Sequence, residues 1–189
     1  MAVFAVSPAV DIGANVLGAA SRGDHRAFAE IVQHYDDGLR ALAYRLLGDR
    51  DRMDDVLQES YVRAFRALPR FRGEARLGTW LYRIVYNACI DELERWKRRA
   101  ELPLDEVHEQ ADPRPDTAAA LAQHDALSAA LAALAPQDRA ALLLVDAQGF
   151  DYRAAGRVLG VPEGTVASRL NRARAEVRRT LAEEERSTQ

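Results

Sequence analysis

A chain of 189 residues that is 48% hydrophobic and 29% charged is too apolar for disorder throughout, and it is long enough for one ordinary domain or two small ones. Its most apolar opening stretch, residues 2–20, is broken by Pro8, Asp11, Gly13 and Asn15, short of the ~18 residues a membrane-spanning helix needs. No Lys or Arg precedes Arg22, so neither membrane insertion nor a secretory leader is expected and the chain reads as intracellular and cytoplasmic, despite a net charge of −3 that argues, on average, against an anionic partner.

Ala, Leu and Arg dominate, and apolar residues recur at three- and four-residue spacing, which predicts an all-α fold of two small helical domains. A first helix is expected after Asp11. A second starts at Asp24, a good N-cap, carries Phe28, Ile31, Val32, Tyr35, Leu39, Leu42, Ala43 and Leu46 on one face, and stops at Gly48. A third, Asp51 to Leu68, places Met53, Leu57, Tyr61, Ala64 and Leu68 on one stripe and ends at Pro69. A basic, aromatic loop follows, and a fourth helix is expected from Thr79, as N-cap, to Trp96. It contains the only cysteine, Cys89, which excludes an internal disulfide or a multi-cysteine zinc site and sits in an apolar run that suits a buried small hydrophobe. Residues 97–117 hold three prolines and six acids without apolar periodicity and read as a flexible linker between a domain at 1–96 and another at 118–189. Beyond it, helices are expected over 118–134, from Pro136 through Val145, over Tyr152 to Leu159, and from Glu163 to about Glu184.

The mean charge conceals segregation. Residues 63–83 hold six arginines and one acid, residues 169–179 five arginines and one acid, and residues 49–59 five acids and two arginines. Two basic surfaces can meet an anionic polymer and one acidic surface something basic.

The last two helices form a helix-turn-helix, in which small residues must sit where the helices cross. Ala155 and Gly156 provide them, Gly160 the turn, and Val158, Leu159, Val166 and Leu170 the local core. With Val166, Leu170, Ala173, Val177 and Leu181 inward, Gly164, Ser168, Asn171, Arg172 and Ala175 face outward. Ser168, Asn171 and Arg172 suit base edges, Arg169, Arg174, Arg178 and Arg179 suit phosphates, and Thr165 lies at the positive end of the helix dipole. The plainer alternative is a helical hairpin with a solvated arginine face. Asp55, Gln58 and Glu59 share an outward face of the third helix, which invites a basic partner or is merely solvated. Phe71, Trp80, Tyr82 and Tyr86 interleave with Arg70, Arg72, Arg76 and Arg83, a composition suited to single-stranded nucleic acid: rings to stack on and cations for the backbone. Trp80, in line with Ile84 and Ala88, is equally placed for a core role, and Asn87 has the donor and acceptor to read a flipped base.

In this order the parts resemble an extracytoplasmic-function (ECF, group IV) sigma factor of the sigma-70 family, the small bacterial RNA polymerase initiation subunit. The resemblance spans residues 11–183 and rests on Asp54-Asp55-Val56-Leu57-Gln58-Glu59, Ala64-Phe65, Phe71-Arg72-Gly73, the run from Thr79 to Asn87, and Leu159 to Val166 with Ser168-Arg169 and Arg172-Ala173-Arg174. It implies that Asp54, Asp55, Gln58 and Glu59 dock on a coiled coil of core RNA polymerase. It implies further that Ala67, Phe71 and Asn87 capture an unstacked base of the melted minus-ten element, with Arg70, Arg72, Arg76, Trp80 and Arg83 along the strand. Gly164, Thr165, Ser168, Arg169, Asn171, Arg172 and Arg174 would read the minus-thirty-five duplex, the linker would thread toward the polymerase active centre, and an anti-sigma factor would control the whole. Two positions depart from the family pattern: Ala154 replaces a usual Glu, and Ala167 a usual basic residue. Residues 1–10 match nothing.

A free-standing helix-turn-helix regulator would explain only residues 136–181. A helical metal-dependent hydrolase using Asp54, Asp55 and Glu59 lacks a helical His ligand pair, since His25, His34, His108 and His124 are scattered, and Lys97, the one lysine, follows no glycine-rich loop. No catalytic residue, metal or cofactor is therefore expected.

Overall fold

The computed structural model describes residues 12–100 and 118–187, and the regular structure among them is helical. The opening segment 1–10 and most of the expected linker lie outside the described residues.

Helix α1, Ala14–Ser21, packs on α2, His25–Leu47. Asp24 caps α2 as the sequence predicts, its carboxylate accepting from the Arg26 and Ala27 amides, and Gly48 closes it in the left-handed region at φ 70°. In α3, Arg50–Ala67, the cap is Asp49, accepting from the Arg52 amide at 2.8 Å, and Met53, Val56, Leu57, Ser60 and Ala64 are buried. Pro69 ends it through a 3-10 turn, Leu68–Arg70.

Helix α4, Leu77–Ala100, starts before the expected Thr79. The Arg76 carbonyl accepts the first helical hydrogen bond, from the Trp80 amide, so Thr79 lies within the first turn, buried, rather than at the cap. It also runs past Trp96, because residues 97–100 contain neither proline nor glycine and offer Lys97, Arg98 and Arg99 to the negative end of the helix. Cys89 is fully buried, and burial pushes its thiol up to about 12.

The second half contains α5, Ala118–Ala133, α6, Pro136–Leu142, α7, Tyr152–Leu159, and α8, Glu163–Ser187. The stretch expected to continue α6 as regular helix instead winds as a π turn, Leu143–Ala147. There the Leu143 and Leu144 carbonyls accept from the Gln148 and Phe150 amides, and Gln148 and Phe150 are both buried.

The two halves are docked. Helix α4 packs on α7, and α2 on α5 and α6. The Tyr82 ring meets Phe150 edge-on at 4.9 Å, and its hydroxyl donates to Gln148 Oε1 at 2.9 Å. Arg139 donates to the Arg45 and Leu46 carbonyls at the end of α2 and to the Ala132 and Leu134 carbonyls at the end of α5. One glycine inside α2 is explained by this seam: a Cβ on Gly38 would collide with the Tyr82 hydroxyl and lie 2.9 Å from Gln148 Oε1.

Candidate nucleic-acid and partner interfaces

Helix α3 buries its apolar stripe and thereby turns Asp54, Asp55, Gln58 and Glu59 outward, all exposed. Two of the four carboxylate or amide groups are already engaged. Asp54 accepts from Arg40 of α2 at 2.6 Å, and Arg40 also binds Asp36, which accepts from the Tyr61 hydroxyl at 2.6 Å. Burial, then Asp36, raises the pKa of Tyr61 and keeps that phenol a donor. Glu59 pairs with Arg63 one turn on, at 2.6 Å. Exposed pairs of this kind contribute only ~0–1 kcal/mol, so the acids remain recruitable by a basic surface. Asp55 and Gln58 make no ion pair among the described residues and stand as the centre of the face.

The 3-10 turn and the loop after it carry the basic, aromatic segment. Gly73 takes φ 70°, which turns the chain back toward α4. Phe71 and Trp80 are half-buried and pack on each other at 5.2 Å, so the sequence's open alternatives for Trp80 resolve to a ring that supports Phe71 while keeping an accessible edge. Arg70, Arg72, Arg76, Arg83 and Asn87 are exposed and Ala67 half-buried, and none of these arginines forms a salt bridge among the described residues. Their charges are available to a phosphate chain. Tyr82 and Tyr86, expected as stacking platforms, are instead buried at 1% and 6% exposure, because their face of α4 receives the second half.

The helix-turn-helix follows the sequence closely. Asp151 caps α7 by accepting from the Ala154 amide at 2.7 Å, Gly160 turns at φ 68°, and Gly156 is buried where a Cβ would lie 2.7 Å from the Val161 carbonyl oxygen. Val166, Leu170 and Ala173 are buried, while Gly164, Ser168, Asn171, Arg172, Arg174 and Ala175 are exposed and Thr165 and Arg169 half-buried.

The arginines of α8 are not simply presented to solvent. Arg172 makes a two-pronged bond to Asp138 at 3.1 and 2.9 Å, and Arg174 one to Asp146 at 2.9 and 2.6 Å. Arg179 pairs with Glu176 and Glu183. Ser168 donates its hydroxyl to the Thr165 carbonyl. Arg169 lies near enough to Tyr86 of α4 for its charge to offset part of the rise that burial imposes on that phenol's pKa. Asp138 and Asp146 were invisible as partners in the sequence, lying on the preceding helical segment 34 and 28 residues away. Among the described residues, no three His, Cys, Asp or Glu side chains gather to hold a metal ion, and no helix is long and apolar enough to cross a membrane.

Against known proteins, residues 31–99 match Sigma-70 region 2 and residues 124–177 match Sigma-70, region 4. The chain is 38% identical over 181 residues to the ECF RNA polymerase sigma factor SigM of Mycobacterium tuberculosis, covering 92% of this chain and 90% of that one. It is 33% identical over 172 residues to the RNA polymerase sigma-H factor of Pseudomonas aeruginosa, covering 85% and 89%. Among solved structures it is similar to CnrH in complex with the cytosolic domain of CnrY, with a TM-score of 0.68 and 27% identity over 89% of this chain and 96% of that one. The fold is shared with the sigma factor RpoE of Bartonella quintana, solved with the anti-sigma factor NepR, with a TM-score of 0.66 at 24% identity over 82% and 96%.

Proposed function

Since the chain belongs to the ECF RNA polymerase sigma factors of the sigma-70 family, we propose that it is an alternative sigma factor that binds core RNA polymerase in the cytoplasm and directs promoter-specific initiation. The observation that carries this reading is the division of labour between surfaces. An acidic face on α3 and an unpaired row of Arg70, Arg72, Arg76 and Arg83 share one half, while the helix-turn-helix occupies the other. A free-standing duplex regulator has no use for the first two.

In this reading Asp55 and Gln58, flanked by Asp54 and Glu59, bind a basic helical surface of core polymerase. The arginine row holds the phosphates of the melted minus-ten strand while Phe71, braced by Trp80, and Asn87 receive an extruded base above Ala67. Stacking supplies ~1–3 kcal/mol per base, enough to offset the few kcal/mol that unstacking costs. Helix α8 lies in the minus-thirty-five major groove, with Ser168, Asn171 and Arg172 toward base edges and Gly164, Thr165, Arg169 and Arg174 toward the backbone. The similar CnrH was solved in complex with the cytosolic domain of CnrY, and the RpoE that shares this fold with the anti-sigma factor NepR; control of this chain by an anti-sigma factor is part of the proposal. No step requires a cofactor or a catalytic residue.

The core-docking assignment is tested with a double charge reversal, Asp55→Arg with Glu59→Arg. The variant is expected to retain wild-type helicity and to lose co-elution with purified core polymerase. Wild-type co-elution would remove α3 from the interface.

A further inference from the structure

We propose that Asp138 is a specificity-determining positioning residue of the helix-turn-helix, holding Arg172 by one edge of its guanidinium so that the other edge is presented, already oriented, to a guanine of the minus-thirty-five duplex. The inference rests on the promoter-binding reading above and adds to it a residue outside the recognition helix.

A guanidinium offers a side-on fork, from Nε and one terminal nitrogen, and an end-on fork from its two terminal nitrogens. Asp138 takes the side-on fork: Arg172 Nε donates to Oδ2 at 3.1 Å and Nη2 to Oδ1 at 2.9 Å. Nη1 donates to nothing among the described residues, and Nη2 keeps a second hydrogen beside it, so the end-on fork is left for a partner. Such a fork fits O6 and N7 of guanine. Exposure divides the pair in the same sense. The Asp138 side chain is 16% exposed and that of Arg172 62%, an acid set back against the fold with the cation in front of it.

The backbones that carry the pair are fixed without it. Helix α6 packs on α8, and Ala140, Ala141, Leu170 and Ala173 are fully buried. A pair with so exposed a cation adds little to stability, which leaves orientation as its contribution. Arg172 follows Ser168 and precedes Ala175 by one turn, within the outward stripe of α8, whereas Arg174 lies toward its flank. Arg174 is held side-on in the same way by Asp146, Nε to Oδ2 at 2.9 Å and Nη2 to Oδ1 at 2.6 Å, but there acid and cation are similarly exposed, at 36% and 43%. Asp146 is therefore the charge-matched comparison, beside an arginine read as a phosphate contact. An arginine ordered in advance loses less freedom when it meets the right base, and it cannot swing to follow a wrong one.

The test uses the full-length chain with purified core polymerase, on a promoter duplex recovered by run-off transcription and on its single-base-pair variants across the minus-thirty-five element. Asp138→Asn keeps the size of the side chain and leaves one acceptor oxygen where the fork needs two. It is expected to lower discrimination about fivefold at one G·C pair, the pair at which Arg172→Ala acts, with the other positions and the helicity unchanged. In an Arg172→Ala background it should change discrimination no further. Asp146→Asn, which removes the same charge, should shift affinity for every duplex by one common factor. Discrimination unchanged by Asp138→Asn, a loss spread evenly over all positions, or a further loss in the Arg172→Ala background overturns the proposal. So does an equal, single-pair effect of Asp146→Asn, which would make the loss of charge sufficient. Absence of any preference among the duplexes with the parent chain would overturn the sigma reading and the proposal together, whereas a preference that Asp138→Asn leaves intact overturns the proposal alone.

Discussion

Arg172 and Asp138 frame the question at the scale of single residues. A two-pronged carboxylate bond fixes the plane of a guanidinium, and the same fork is what a guanine edge requires. In the proposed minus-thirty-five contact Asp138 would share Arg172 with the base, and in the free chain it sets the orientation of the guanidinium. Arg172→Ala should lower discrimination between the correct and a mutated minus-thirty-five duplex roughly tenfold, measured by competition binding, with helicity unchanged. Equal losses on both duplexes would make Arg172 a phosphate contact. The same residue shows where sequence reasoning reaches its end: its exposure followed from the spacing of Val166, Leu170 and Ala173, whereas its pairing with Asp138 depends on how α6 crosses α8. Local periodicity carries no information about that crossing.

Among elements, α7 and α8 were legible because each signal is local. Asp151 and Gly160 mark the ends of α7, and the small pair Ala155 and Gly156 marks the crossing. Gly156→Ala tests this directly. Its methyl group would press on the Val161 carbonyl, an atom of the turn backbone that cannot swing aside, and the expected cost is ~1–3 kcal/mol in a urea titration of the whole chain. An unchanged midpoint would show that the turn yields. Helix α4 was less legible. Phe71, Tyr82 and Tyr86 have the same composition signal, yet only Phe71 keeps an accessible face, because the second half covers the other two. The π turn was hidden for a similar reason: nothing near Gln148 in sequence announces that its amide will meet Tyr82, 66 residues earlier.

At the scale of the molecule, a net charge of −3 coexists with surfaces of opposite sign, and the seam between the two halves is written in long-range contacts made by Gly38, Tyr82, Arg139 and Gln148. The two-half, all-helical organisation could be read from periodicity and from the proline-rich break; that the halves meet could not. In the proposed reading the free chain is expected to bind duplex promoter weakly and to gain specificity when polymerase fixes both halves at promoter spacing, since linked weak contacts add only when geometry lets them act together. The most direct test is run-off transcription with purified core RNA polymerase on a pool of promoter fragments from the source genome, with and without this protein. Transcripts that start at discrete sites only when the protein is added are the predicted result. Absence of any such transcript, together with absence of core binding, would contradict the assignment as an initiation factor.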